Sequence, residues 1–507
     1  MDGQDADLMK YFWRLAEPDE NCTVKTTRLL LKKLETSQKD YDAIGKDLKY
    51  TLRRLIKGVS SNRKSARQGF SVALCQVLRK FAVISTEKVL ALVTKHLQLS
   101  KKDGKAETGS ILLGRAMVYL ALIQSGRLAQ DSTESIKTVV SNLQDMKRKR
   151  SYLQQICISG IVHLIPQIGT ETFQESVLPC IQKELMLGWD KCTPDALLLL
   201  LVCRRHHKNL VGKAFLKEHW SRSKIITEKS IDNIWQIVLK SSETYPVIHP
   251  VTSEVLDNLV KSDVSVGDFW SRSVNLLFCS NHTRSTNLGL HILSQIIPHI
   301  KTPGEAESVW CPTVLSVLMR YIDKKLHKDN PIHTMATKVT DSMVAYLQHC
   351  EDGKIQHAVL TKLFDLKGER VCPEMSRVID RITLNLTSEG AVSYGNFLMK
   401  YFADNIVRRD NQEDLWSRKV IVRMKDVISE VRNLVTVKST CTDHDRQLHL
   451  LQFLAVHSFW VVIKPTKIVH CTRTNRSIDS VMRKHIQDNF FKALNSLLVY
   501  RTGNVLS

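Results

Sequence analysis

Apolar residues recur along this chain at the spacing of amphipathic helices. The clearest stripe follows the i, i+3, i+4, i+7 pattern of one helix face; it comprises Ala66, Gly69, Phe70, Ala73, Leu74, Val77, Leu78 and Phe81. In the segment before it, Ile44, Leu48, Leu52 and Leu55 share one face. Gly58 suits a helix end, and Ser60, Ser61 and Asn62 are good N-cap types. The pattern predicts two consecutive helices separated near residues 58–62.

Weaker helical patterns continue to the end of the chain, and alternating strand patterns are nearly absent. Further helices are predicted near 22–35, 86–99, 132–146, 151–164, 172–187, 194–207, 230–241, 253–261, 286–298, 312–326, 333–348, 354–365, 418–434, 446–462 and 478–500. Gly 20 and Pro 12 in 507 residues are about half the usual share of turn formers. The chain is therefore predicted to be all-α, an armadillo/HEAT-like α-solenoid of stacked helix pairs.

The length of the chain indicates that it divides into more than one segment. A chain of 507 residues is too long for one compact core. The least regular zones, 242–252 and 366–392, are expected to be joints. We therefore expect an N-terminal helical-repeat segment over 1–250 and a continuing segment over 251–507, truncated at its C-terminus.

The charge balance bears on partners rather than on the fold. Lys and Arg number 73 against 51 Asp and Glu, for a net charge of +22. An excess of this size implies acidic partners: DNA, RNA, acidic protein segments or an anionic membrane surface. The alternative is an ordinary basic surface without a specific partner.

The chain carries no signal for export or membrane insertion. It opens with Met1-Asp2-Gly3-Gln4-Asp5, which is unlike a signal peptide. Its longest apolar run, 196–203, is far short of the roughly 20 residues that span a bilayer. An intracellular protein without a membrane partner is expected, with its 12 cysteines free and mostly buried.

A search for catalytic motifs predicts no enzyme, cofactor or metal site. Nucleotide-binding glycine loops, the G-x-S-x-G elbow and H-E-x-x-H are absent from the sequence. Cys203, His206 and His207 lie close together, with Cys192 upstream. A structural zinc site needs two close ligand pairs, and only one is present.

Residues 44–80 hold ten Lys or Arg residues, and Asp47 is the one acidic residue in the range. The predicted surface for an anionic partner comprises Lys46, Lys49, Arg53, Arg54, Lys57, Arg63, Lys64 and Arg67. Arg63 and Lys64 are expected in the first turn of a helix, where free backbone N–H groups also attract anions. Contact with phosphates needs charge and no base-reading geometry. A solvated face is the competing interpretation.

Two short motifs suggest further contacts. Lys147-Arg148-Lys149-Arg150 is a basic tetrad, expected in a polar link, that fits a nuclear localisation signal; a chance cluster in a link is the alternative. Leu494, Leu497 and Leu498 form an L-x-x-L-L motif, which coregulators use to dock a short helix into a groove. In a Leu-rich helical chain the same spacing also marks an ordinary core stripe.

Several runs resemble the Myb-binding protein 1A / DNA polymerase V (polymerase phi) family. The opening ones are FWRLA (12–16), LKYTLRRLIKG (48–58), SARQGFSVAL (65–74) and the segment 113–128. Later landmarks in matching order are HPV (249–251), DFW (268–270) and the segment 287–298. The likeness is specific over 10–130, looser to about 350 and weak beyond.

The resemblance implies a nuclear and nucleolar helical-repeat scaffold. Such proteins bind transcription factors and other nuclear proteins, modulate transcription and take part in ribosomal RNA production and ribosome biogenesis. Family members are longer and carry acidic stretches and a basic tail. The chain is therefore expected to correspond to the N-terminal half of such a protein, as a fragment or a short isoform.

Two rival functions are open at this stage. A direct nucleic-acid-binding protein with DNA polymerase activity would need carboxylates held together for two metals. Thr340-Asp341-Ser342 resembles part of a polymerase motif. The Tyr-Gly-Asp expected before it is absent, and the run lies inside a predicted helix. A nuclear transport receptor is also a helical solenoid, but such receptors are acidic on their inner surface, which a charge of +22 opposes.

Overall fold

The computed structural model describes residues 3–38, 43–100, 104–244, 247–279, 282–323, 330–366, 373–383 and 385–407. Every regular element in these ranges is a helix, and none of the described residues forms a strand. The predicted all-α class is confirmed. The predicted helices near 418–434, 446–462 and 478–500, together with the L-x-x-L-L motif at Leu494, Leu497 and Leu498, lie outside the described residues.

The chain folds into two compact units. The first contains residues 1–225 and 249–255, and the second contains 226–248 and 256–507. The predicted division at residue 250 falls where two short segments cross between the units. The helices of the first unit are α1 Gly3–Leu15, α2 Glu20–Ser37, α3 Lys46–Gly58, α4 Lys64–Lys80, α5 Thr86–His96, α6 Lys105–Gln124, α7 Thr133–Lys149, α8 Gln154–Leu164, α9 Thr170–Thr172, α10 Leu178–Leu185, α11 Pro194–His206 and α12 Lys213–Trp220.

Helices of the first unit pack in the order expected of stacked pairs. Neighbours along the chain contact each other, as α1 does with α2, α3 with α4 and α7 with α8. Every second helix also makes contact, so that α2, α4, α6 and α8 touch in succession. Because each layer is covered only by the adjacent layers, the core is a continuous apolar seam. This is the helix-pair stacking of an α-solenoid.

The stripe that predicted α4 is the buried face of that helix. Its small and aliphatic positions, from Ala66 to Leu78, are buried, and Phe81 is buried just after the helix. Phe70 is only partly buried, and its ring lies 6.4 Å from that of Phe12. The helix begins at Lys64, and its N-cap is Arg63, which makes no side-chain cap. The predicted capping by Ser60, Ser61 or Asn62 was therefore wrong by one to three residues.

A glycine sets the spacing between the first helices. A Cβ atom at Gly69 would lie 1.9 Å from the Leu15 carbonyl oxygen, so α4 approaches the end of α1 as closely as a glycine allows. A Cβ at Gly114 would come within 3.0 Å of Ser60 in the same way. The runs 65–74 and 113–128 therefore each contain a glycine at a point where another backbone segment comes too close for a larger residue.

Helix α6 is long and apolar enough, by length and composition, to cross a membrane. Within the first unit it packs against α4, α7 and α8. Ala116, Leu122 and Ile123 are buried in these contacts. The apolar character of α6 is thus that of a core helix.

The regular elements described in the second unit are also helices. Its helices, with α14 beginning in the first unit, are α13 Ile231–Thr244, α14 Val251–Leu259, α15 Val266–Phe269, α16 Asn275–Cys279, α17 Thr283–Ile296, α18 Pro303–Val309, α19 Pro312–Ile322, α20 Pro331–Gln348, α21 Gly353–Leu366, α22 Pro373–Thr383 and α23 Ser388–Val407. The expected joint at 366–392 contains α22 and the start of α23, so its interpretation as irregular was wrong. The helical pattern of α22 is present in the sequence, because its buried residues Met375, Val378, Ile379 and Ile382 recur at i, i+3, i+4 and i+7.

Candidate anionic-partner surface

Helix α3 separates its apolar and cationic residues onto opposite faces. Leu48, Leu52 and Leu55 are buried in the first unit. Lys46, Lys49, Arg53 and Lys57 are exposed, at positions that lie along one side of the helix. The apolar face holds α3 in place, and the cations are left in solvent along about 16 Å of the helix axis.

The end of α5 adds a lysine and a histidine to this side. Lys95 is exposed and His96 is partly exposed in the last turn of α5. Partial burial lowers the pKa of His96, and the charges of Lys57, Lys95 and Arg53 lower it further. Helix α5 packs against α3, so these cations all act on the His96 ring. We name Lys46, Lys49, Arg53, Lys57 and Lys95 the basic strip.

The other predicted cations of this surface, Lys64 apart, make contacts within the fold. Arg63 donates from Nη2 to the Ala16 carbonyl oxygen at 3.1 Å, across to the end of α1. Arg67 donates from Nη1 to the carbonyl oxygens of Ser61 and Asn62, at 2.8 and 2.9 Å. The Arg54 guanidinium lies 5.7 Å from the centre of the Phe12 ring. Lys64 is exposed.

Two more arginines of the first unit also donate hydrogen bonds to backbone carbonyl oxygens. Arg127 donates to the carbonyl oxygens of Leu78 and Phe81 at the end of α4, and Arg115 donates from Nε to the Leu97 carbonyl oxygen at 2.7 Å. The last carbonyls of a helix lack partners within it and carry partial negative charge. A share of the net charge of +22 therefore stabilises helix ends and is not available to a partner.

The basic tetrad lies at the end of α7 and not in a polar link, which corrects the expected position. Lys147 is buried, and its Nζ lies 2.8 Å from Glu184 Oε2 and 3.5 Å from Asp195 Oδ2. Arg148, Lys149 and Arg150 are exposed. The fold therefore leaves three of the four residues exposed to solvent.

Asp195 extends this ion pair into a buried network. Its Oδ1 lies 3.0 Å from Nε2 of His249. His249 Nδ1 accepts a hydrogen bond from the backbone N–H of Val251 at 3.1 Å. Because Nδ1 is an acceptor, the proton is assigned to Nε2, which donates to Asp195. The HPV run at 249–251 thus joins the core through its histidine.

Cys203 and His207 are also core residues, whereas His206 is exposed. Burial raises the pKa of the Cys203 thiol. His207 stacks on Phe173, with ring centres 4.1 Å apart, and its Nε2 lies 3.2 Å from the Ile165 carbonyl oxygen. Burial lowers the pKa of His207, and the bond to Ile165 offsets part of that shift. Within the described ranges, no group of three or more His, Cys, Asp or Glu side chains could hold a metal ion.

The described cysteines are free, as predicted, and four of the nine are buried: Cys75, Cys157, Cys192 and Cys203. Four others are partly buried, and Cys279 is exposed. Burial raises the pKa of Cys157 and of Cys192 to about 12, so both are neutral thiols near pH 7. They behave as small apolar side chains.

The polymerase-like run at 340–342 lies on a helix. Thr340 is buried in α20 and donates to the Thr337 carbonyl oxygen at 2.8 Å. Asp341 is exposed and pairs with Arg381 of α22, at 3.0 Å. A carboxylate already paired on a helix surface is not arranged as part of a two-metal site.

Comparison with known proteins identifies the family. The sequence model of the family DNA polymerase phi matches residues 50–504. Myb-binding protein 1A-like protein of Danio rerio is 23% identical over 98% of this chain, and Myb-binding protein 1A of Rattus norvegicus is 30% identical over 97%. The rDNA transcriptional regulator pol5 of Schizosaccharomyces pombe is 25% identical over 46% of the chain.

These relatives are longer than the region they share with this chain. The matches cover 40% of the Danio rerio protein, 37% of the Rattus norvegicus protein and 24% of the Schizosaccharomyces pombe protein. The family match nevertheless extends over most of the present sequence, including the basic strip from Arg53 onward. The chain therefore belongs to the DNA polymerase phi family.

Proposed function

We propose that this chain is a nuclear and nucleolar scaffold that binds transcription factors and regulates transcription, including ribosomal RNA production and ribosome biogenesis. The names of its relatives support this: one group is named for binding Myb and the yeast protein for regulating rDNA transcription. The structural observation that carries the proposal is the basic strip. It is a row of solvent-exposed cations on α3 and on the end of α5, which packs against α3.

An acidic protein segment is the proposed occupant of the strip. Exposed cations attract any polyanion, and the attraction is long-range and sensitive to salt. Arg53 also lies 5.5 Å from the centre of the Tyr50 ring, which presents a flat surface beside the charge. The relatives named for binding a transcription factor favour a protein partner over DNA or RNA.

The proposal assigns no catalytic step to this chain. Its curated relatives are named for binding or for regulation. The residue that most resembles a polymerase aspartate, Asp341, is paired with Arg381. Direct binding of nucleic acid through the basic strip is the alternative function, and the experiment below separates the two.

The test is charge reversal of the strip on α3, with Lys46, Lys49, Arg53 and Lys57 each changed to Glu in the full chain. Arg63 is left intact because it bonds to the end of α1. A pull-down from nuclear extract, with and without nuclease, should lose most partners for this variant. The control reverses four other exposed lysines of the first unit, Lys137, Lys183, Lys213 and Lys217, and changes the net charge equally.

Three outcomes are distinguished by this pull-down. Loss of protein partners that is unaffected by nuclease supports the proposal. Partners that disappear on nuclease treatment of the unaltered chain would indicate a nucleic-acid tether; binding to nucleic acid should then weaken steeply with salt, with the slope falling by about one unit per lost phosphate contact. Equal binding by the reversed and control variants would contradict a role for the strip.

A further inference from the structure

We propose that a groove between α2 and α4 binds a basic peptide segment that carries aliphatic side chains, contributed by a partner protein. The groove has a volume of about 350 Å³ and is also lined by Met117 of α6. The other lining residues that bear on binding are Glu17, Asp19, Glu20, Val24, Gln68 and Val72. We name it the acidic groove.

The floor of the acidic groove is apolar and exposed. Val24 is 46% exposed and Val72 is 42% exposed, although each lies on a helix whose opposite face is buried in the core. Met117 is partly exposed beside them. Removing this apolar surface from water on binding is favourable. The floor therefore favours a partner that brings aliphatic side chains.

The rim of the groove is negative. Glu17, Asp19 and Glu20 are exposed, and none of the three forms a salt bridge with the described residues. Asp19 is the N-cap of α2 and accepts from the backbone N–H of Asn21 at 2.9 Å. The positive end of the α2 dipole amounts to about half a charge. The dipole and the Arg63 guanidinium, which bonds to the Ala16 carbonyl oxygen next to Glu17, together offset only part of the three carboxylates, so the rim keeps a net negative charge.

Charge complementarity selects the occupant. Lys or Arg side chains would pair with the rim while an aliphatic side chain enters between Val24 and Val72. Gln68 and Ser71 offer further hydrogen-bonding groups. Nucleic acid or an acidic segment would be repelled by the same carboxylates. The acidic groove is thus a second binding surface, opposite in charge to the basic strip and independent of the function proposed for it.

The probe is a short synthetic helical peptide of Lys and Leu, labelled for fluorescence anisotropy and titrated with the full chain. Two control peptides have the same length: in one every Lys is replaced by Glu, and in the other every Leu is replaced by Ser. The Lys/Leu peptide should bind more tightly than both. If it binds no more tightly than the Glu-containing control, the proposal is overturned.

Paired variants locate the binding. Val24→Ser with Val72→Ser, and separately Glu17→Gln with Glu20→Gln, should each weaken the Lys/Leu peptide by at least about threefold. The matched controls are Leu29→Ser, an exposed apolar residue on α2, and Glu87→Gln, in the first turn of α5. The controls should bind as the unaltered chain does.

Asp19 is kept because it caps α2. Circular dichroism should show equal helicity for every variant. Groove variants that bind like their controls would overturn the proposal. The strip-reversal variant should retain peptide binding, so a failure of the basic strip and a failure of the groove give different results.

Discussion

At the residue scale, neighbouring cations of this chain have unrelated roles. Lys147 and Lys149 are two residues apart in the same basic tetrad. Lys147 is buried against Glu184 and Asp195, whereas Lys149 is exposed. The difference follows from the turn of the helix, since positions two apart point in different directions. Charge in the sequence therefore does not distinguish a structural cation from one available to a partner.

This contrast gives a prediction for stability. Lys147→Met should destabilise the first unit by about 3 kcal/mol, because it leaves the buried carboxylate of Asp195 and the partly buried one of Glu184 without their cation. Lys149→Met removes the same charge from an exposed site and should change the free energy of unfolding by less than about 0.5 kcal/mol. Urea unfolding followed by circular dichroism measures both. Equal effects of the two substitutions would argue against the buried network.

At the element scale, close helix crossings depend on small residues. Helix α4 meets the end of α1 at Gly69, where an added Cβ would lie 1.9 Å from the Leu15 carbonyl oxygen. The neighbour at this point is backbone, which cannot rotate away as a side chain could. The two helices must therefore separate if the glycine is replaced, and the packing of Phe12 with Tyr50 and Phe70 would open with them.

Gly69→Ala should accordingly destabilise the first unit by about 1–3 kcal/mol or more, as overpacking does, although alanine is the better helix former. The matched control is Gly104→Ala, at the N-cap of α6, where a Cβ would meet nothing within 4 Å. Its effect should be smaller than about 1 kcal/mol. Thermal unfolding of the two variants tests the comparison; a neutral Gly69→Ala would show that α1 and α4 are not held at this distance.

At the scale of the whole molecule, the cellular location of the protein and its binding to partners depend on the residues that the fold leaves exposed. The chain has a mass of 57.9 kDa and would cross the nuclear pore slowly without an import signal. Nuclear residence is part of the proposed function, and the basic tetrad remains the predicted nuclear localisation signal. Within the tetrad only Arg148, Lys149 and Arg150 are exposed, because Lys147 is buried.

Changing these three exposed residues to Ala, with Lys147 retained, should shift a fluorescent fusion of the full chain toward the cytoplasm. Retaining Lys147 avoids the loss of stability expected from opening the buried ion pair. The control is Lys137→Ala with Lys183→Ala, two exposed cations elsewhere in the first unit. An unchanged nuclear signal in the triple variant would place the import signal in another part of the chain.

The sequence by itself determined the helical class and the position of most helices, because the spacing of apolar side chains is a local property of the chain. Helix α3 with its apolar and cationic faces, and the buried stripe of α4, could be predicted in this way. The opening family motifs could also be recognised, and two of their glycines, Gly69 and Gly114, lie at close backbone contacts.

The tertiary structure alone decided which charged residues form a site. Lys147 pairs with carboxylates that lie 37 and 48 residues later in the sequence. Arg63 donates to a carbonyl oxygen that lies 47 residues earlier. Lys95 joins the cations of α3 only because α5 packs against α3. The acidic groove likewise combines side chains of α2, α4 and α6. These associations depend on how the helices stack, and the period of a single helix carries no information about its neighbours.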